Sequence, residues 1–320
     1  MCSSDLAAAF SFGVLEELDR VRSSAAGTKT LLDRVDFVSG VSGGSVTAAY
    51  FGLKRRAALA DFRERFLLRN AEEGLKTRIS LGNIGRALGG GVNDSQFTDW
   101  LDQNLFDGAR FEALPDDRRP RVWINASDIY NRTPFVFGKT SFDALCSDIR
   151  SYRVAEAVAA SAAVPLAFAP IVLQTYPGGC AAPLPPWYDR VRNDPNAQPL
   201  LRSYAEAQAR YRDGSMRYVK LLDGGLVDNY GLSALSIGLL AAQRPYEPLD
   251  ERQAAKLKRI LPVGVFCCAT MLNLSFQRRV VEVWNGGLPD GHLLRVASGE
   301  RTKSEEFDFG AAEFAPWQIG

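Results

Sequence analysis

The chain has 320 residues, of which 46% are hydrophobic and 23% charged, with a formal net charge of +1. That balance suits a globular protein with one large core or two smaller ones, and it carries no electrostatic footprint for nucleic acid. A single histidine and five scattered cysteines speak against a zinc site, and no run approaches the about 20 apolar residues of a membrane-spanning helix.

The first predicted element is a helix over residues 7–22, with Phe10, Val14, Leu15, Leu18 and Val21 at helical spacing. Nothing before it reads as a signal peptide. Met1-Cys2 has no apolar segment ahead of it, so it is not a lipoprotein cysteine. A short apolar strand over 35–39 leads into the turn Gly40-Val41-Ser42-Gly43-Gly44, and a small, apolar helix follows over 45–53. Residues 59–75 form an amphipathic pattern whose Phe62, Phe66 and Leu67 share one side, the pattern of a core-facing helix. Gly89-Gly90-Gly91 is a loop but not a phosphate cradle, because no Gly-Lys-Ser/Thr follows.

Strands are predicted over 122–126 and 134–137, then an Ala-rich helix over 154–163 stopped by Pro165. Residues 176–199 are rich in Pro and Gly and read as a long surface loop, so the segment 176–217 is expected to be a loop or lid insertion. It contains a helix over 200–212. A strand over 218–222 ends in Asp223-Gly224-Gly225, a helix follows over 232–242, and a last apolar strand over 260–266. Strands alternating with helices predict an α/β sandwich of three layers, α/β/α, around a mostly parallel central sheet.

The chemistry concentrates at two places. Gly40-x-Ser42-x-Gly44 lies between a strand and a helix, the context in which this pattern forms a nucleophile elbow. Flanking glycines would remove Cβ atoms that clash with strand and helix, and the helix N-terminus favours negative charge beside the serine. The backbone N–H of Gly43 is then an oxyanion donor.

Serine needs a base. Asp223 ends an apolar strand, where sites gather in open α/β sheets, and Gly224 and Gly225 let other backbone approach. The competing base is His292, in the Ser–Asp–His order of α/β-hydrolases. That fold needs several strands ahead of its elbow, and only 41 residues precede Ser42. Asp228 reads as a cap or loop residue. Cys146 and Cys180 flank a loop-rich stretch, and a disulfide and two free thiols are both open from spacing alone.

These motifs resemble the patatin-like phospholipase family, whose signature couples a Gly-x-Ser-x-Gly elbow to an Asp-Gly-Gly/Ala motif in a Ser–Asp dyad; Ser42 and Asp223 match its two positions. Asn125-Ala126-Ser127-Asp128 with Pro134-Phe135-Val136-Phe137, and Ala160-Ser161-Ala162-Ala163-Val164-Pro165 with Phe168-Ala169-Pro170, are similar to two further family blocks. The resemblance covers residues 7–266 and implies one acyl hydrolase domain over 1–266; it fades over the C-terminal segment 267–320, in which residues 285–320 show no clear pattern. It implies a serine acyl hydrolase on lipid esters, working through an acyl-enzyme with no cofactor.

Leu145-Cys146-Ser147-Asp148 and Cys180 look like a bacterial, often exported branch, which implies a Cys146–Cys180 disulfide and a periplasmic or membrane-associated location. The family also begins with a strand and a glycine-rich oxyanion loop. Met1-Cys2-Ser3-Ser4-Asp5-Leu6 does not match them, so the start is expected to be a truncation. Loss of that loop would leave a weakened enzyme, or a lipid- or protein-binding module on the same scaffold.

Overall fold

A computed structural model describes residues 4–22, 30–69, 96–115, 118–165, 168–180 and 183–242. Helix α1 (Ser4–Arg20) leads to β1 (Phe37–Val41) and α2 (Gly43–Lys54), then to the short α3 (Ala58–Phe62) and α4 (Gln96–Leu101). A hairpin follows, β2 (Arg121–Asp128) and β3 (Thr133–Phe137), then α5 (Lys139–Leu145) and α6 (Val154–Ser161). The described part ends with β4 (Ile171–Gln174), α7 (Trp187–Asn193), α8 (Pro199–Asp213), β5 (Tyr218–Asp223) and α9 (Ser233–Ala241). The expected strand over 260–266, the triple glycine at 89–91, His292 and the segment 267–320 lie outside the described residues, as do residues 1–3.

The sheet runs β1-β2-β5-β4, with β3 also on β2. β1 is parallel to β2, Val41 standing opposite Asn125. β5 is antiparallel to β2, with Asp223 opposite Ala126. β3 occupies one edge of β2 over residues 124–128, so β1 and β5 must share the other edge, end to end.

The sheet is therefore mixed among the described strands: the parallel pairing joins β1 and β2, and the other pairings are antiparallel. For β3 the reason is local. Only residues 129–132 connect it to β2, enough for a hairpin but far too few for a parallel crossover.

α2 and α6 pack against β1, β2 and β5, while α5 and α8 pack against β3. The result is the helix–sheet–helix layering of a three-layer α/β/α fold. The main core is aromatic around β3. Phe135 and Phe137 are fully buried and meet Phe142 and Tyr152, while Tyr211 of α8 meets Phe135. Each fully buried Phe contributes about 1.5–3 kcal/mol by leaving water.

Two expectations change. α1 buries Ala8, Phe12 and Leu15, while Phe10 is 59% exposed. Its inward face is set by α2, where the small Ala8 admits close approach and the Thr47 hydroxyl donates to the Ala8 carbonyl at 3.0 Å. The stretch 176–199, expected as a surface loop, also carries the helix α7, while the helix expected over 200–212 is present as α8. Ala207 and Tyr211 of α8 belong to the main core, and Tyr188, Val191, Leu201 and Tyr204 join Ile237 of α9 in a second cluster. Tyr211 also donates to the buried Asp128 carboxylate at 2.6 Å, so α8 is fixed to the sheet by a hydrogen bond as well as by packing. The core-facing side expected of 59–75 does appear in its described part, where Phe62 and Phe66 are buried.

Candidate active site

Ser42 sits between β1 and α2 with φ 52° and ψ −130°, outside the regions an L-residue prefers. Such a conformation costs about 1–3 kcal/mol and persists only where the surroundings hold it. Gly40 is one cause. A Cβ there would lie 2.5 Å from the Ser45 Cα and 2.6 Å from the Gly44 carbonyl oxygen, so the strand can turn back against the helix only without a side chain. Gly44 is different: a Cβ there would meet nothing nearer than the Ser11 hydroxyl at 3.7 Å, an ordinary contact. The clash expected at both signature glycines is thus real at Gly40 alone. Gly43 is buried at the first turn of α2, where an N–H has no partner within its own helix.

Asp223 reaches the same place from the other direction. Because β1 and β5 meet end to end along β2, the residues following Val41 and preceding Gly224 converge beside Asn125 and Ala126. The contact is close. A Cβ on Gly224 would stand 2.3 Å from the Asn125 carbonyl oxygen and 3.0 Å from a Val41 methyl. Convergence was expected from the shared C-terminal edge of a parallel sheet; it arises instead from two strands of opposite direction abutting on a third.

The Asp223 side chain accepts the Gly225 N–H at 2.7 Å through Oδ1, while its buried Oδ2 has no hydrogen bond of regular geometry. Burial raises its pKa above the ordinary carboxylate value; the neighbouring Ser42 hydroxyl and the Gly225 N–H act the other way. The structure thus brings Ser42, partly exposed, against a buried carboxylate whose pKa lies above the ordinary value. Asp228, also buried, accepts from the N–H groups of Leu232 and Ser233 and so anchors the start of α9.

Several contributors were given no role in the site from sequence. The Ser161 hydroxyl accepts the Ser42 N–H at 3.0 Å and donates to the Asn125 carbonyl at 2.6 Å. Asn125 donates through Nδ2 to the Ser39 hydroxyl and the Gly40 carbonyl, at 2.8 and 2.9 Å. Gly231, with φ 65°, fits against Ser39 and Val41. Asn125 and Ser161 stand in the two further family-like blocks of the sequence, which was the signal available for them. Farther off, Cys146 and Cys180 are joined as a disulfide. His292 lies outside the described residues. Among the described residues no cluster of His, Cys, Asp and Glu is placed to hold a metal, and no helix is long and apolar enough to cross a membrane.

A strand–turn–helix elbow carrying a strained serine, on a three-layer α/β/α scaffold, marks the class of proteins that present a side-chain oxygen above a sheet edge. Residues 6–236 match the model of the patatin-like phospholipase family. The chain belongs to that family, which supports a lipid acyl hydrolase function in general terms. Nothing among curated proteins matches the chain.

Proposed function

We propose that the protein is a serine acyl hydrolase that cleaves carboxylic esters of lipids through a Ser42–Asp223 dyad. The observation that carries this reading is the placement of a buried carboxylate of raised pKa beside a hydroxyl held in a strained turn. Ser42 Oγ attacks the ester carbonyl while Asp223 accepts its proton, and the Gly43 N–H stabilises the oxyanion. The alcohol leaves with a proton returned by Asp223. Water, deprotonated by the same carboxylate, then attacks the acyl-enzyme, the acid departs, and Ser42 regains its proton.

A base of raised pKa suits this work near neutral pH, because it accepts a proton more readily than an ordinary aspartate. Leu226, 47% exposed and three residues beyond Asp223, offers apolar surface for an acyl chain. No cofactor enters the scheme. The Cys146–Cys180 disulfide supports an oxidising compartment, the bacterial periplasm or its membrane surface.

The test is covalent labelling with a fluorophosphonate, in which Ser42 Oγ displaces fluoride from phosphorus and Asp223 takes the proton. Labelling of the parent that disappears in Ser42→Ala and falls at least 100-fold in Asp223→Asn is the expected result. A folded parent that does not label would favour a binding module on the same scaffold. Undiminished labelling of Asp223→Asn would move the base elsewhere, with His292 the first candidate.

A further inference from the structure

We propose that Ser161 is a positioning residue that sets the nucleophile against its base. The inference rests on the Ser42–Asp223 reading. Ser161 closes α6 and is fully buried. Its hydroxyl has one proton to give, and gives it to the Asn125 carbonyl at 2.6 Å. Its lone pair therefore takes the N–H of Ser42 at 3.0 Å. Two residues later the Ala163 carbonyl accepts the N–H of Asp223 at 2.8 Å. One short stretch of chain thus grips the backbone of both reacting residues, and Asn125 ties that stretch to the strand on which β1 and β5 meet.

Two consequences follow. The spacing between Ser42 Oγ and the Asp223 carboxylate is set from the α6 side as well as by the sheet, so a strained φ at Ser42 is held by a hydrogen bond through its own amide. The Ser42 N–H is also occupied, which leaves the Gly43 N–H as the oxyanion donor of the elbow. An alanine at 161 would remove the acceptor and free the Ser42 amide to turn.

The experiment measures fluorophosphonate labelling of the full chain at saturating and limiting probe. It compares the parent with Ser161→Ala and with Ser236→Ala, a buried serine on α9 whose hydroxyl donates to the Leu232 carbonyl at the start of its own helix. The expected result is a limiting labelling rate reduced roughly 10- to 100-fold in Ser161→Ala. The half-saturating probe concentration should change less than about twofold, since probe binding does not use Ser161. Ser236→Ala should label like the parent.

Amide hydrogen exchange of the parent gives a measurement that does not depend on the variant folding. The Ser42 N–H should be protected and the Gly43 N–H exchange faster. A parental limiting rate in Ser161→Ala, or a Ser42 amide that exchanges as fast as that of Gly43, would overturn the proposal. A folded parent that fails to label overturns the dyad instead, and the exchange result then decides the Ser161 bond by itself.

Discussion

The two outer glycines of the elbow should respond oppositely to alanine. At Gly40 the added Cβ stands 2.5 Å from the Ser45 Cα and 2.7 Å from the Ser45 nitrogen. Carbon atoms at rest stay about 3.5 Å apart, so strand and helix must separate by roughly an ångström. All the opposing atoms are backbone, and no rotamer change can relieve them. Overpacking of this kind costs about 1–3 kcal/mol or more. At Gly44 the nearest atom is 3.7 Å away, and the position is the second residue of α2, where alanine is favoured over glycine by up to about 1 kcal/mol.

The two variants should therefore differ by about 1–4 kcal/mol. At roughly 2–4 °C per kcal/mol this opens a gap of roughly 2–16 °C in Tm. Thermal melts followed by circular dichroism measure it, with fluorophosphonate labelling alongside. Gly40→Ala should also lose labelling by about 100-fold, because it displaces Ser42, whereas Gly44→Ala should stay within a few-fold of the parent. Equal losses of stability in the two variants would refute the close-approach reasoning.

Two further outcomes are expected. Burial raises the Asp223 pKa above its ordinary 3.8, so the folded protein binds that proton more tightly than the unfolded chain; stability is lost as pH rises from 3.8 through the folded pKa, and the loss persists above it. Asp223→Asn, which never ionises, should thus be more stable than the parent at neutral pH in urea titrations, with the gap closing below pH 3.8, and a parent more stable at neutral pH would contradict the sign. Removing the Cys146–Cys180 bridge, which spans 34 residues, should cost about 3–4 kcal/mol on chain entropy, read as a lower Tm in Cys146→Ser, and an unchanged Tm would show that α5 and the following loop hold without it.

Local pattern was enough for much of this protein. A Gly-x-Ser-x-Gly turn between an apolar strand and a small-residue helix marks a nucleophile elbow because the constraint is local: a sharp reversal excludes Cβ atoms within a few residues. The hairpin partners β2 and β3 and the helix α8 were legible for the same reason, each carrying its own periodicity.

What sequence could not decide was set by contacts between distant segments. The direction of β5 depends on which edge of β2 remains free, which only the assembled sheet determines, so the meeting of Ser42 with Asp223 was foreseen but its geometry was not. Phe10 and Phe12 are equally apolar, and α2 decided which of them is buried. Of the two outer elbow glycines, only the packing distance to Ser45 tells the indispensable one from the tolerant one. Ser161 shows the limit most plainly, since its hydroxyl bridges residues 119 and 36 positions away, a relation that no spacing in the chain records and that exists only once α6 is docked against the sheet.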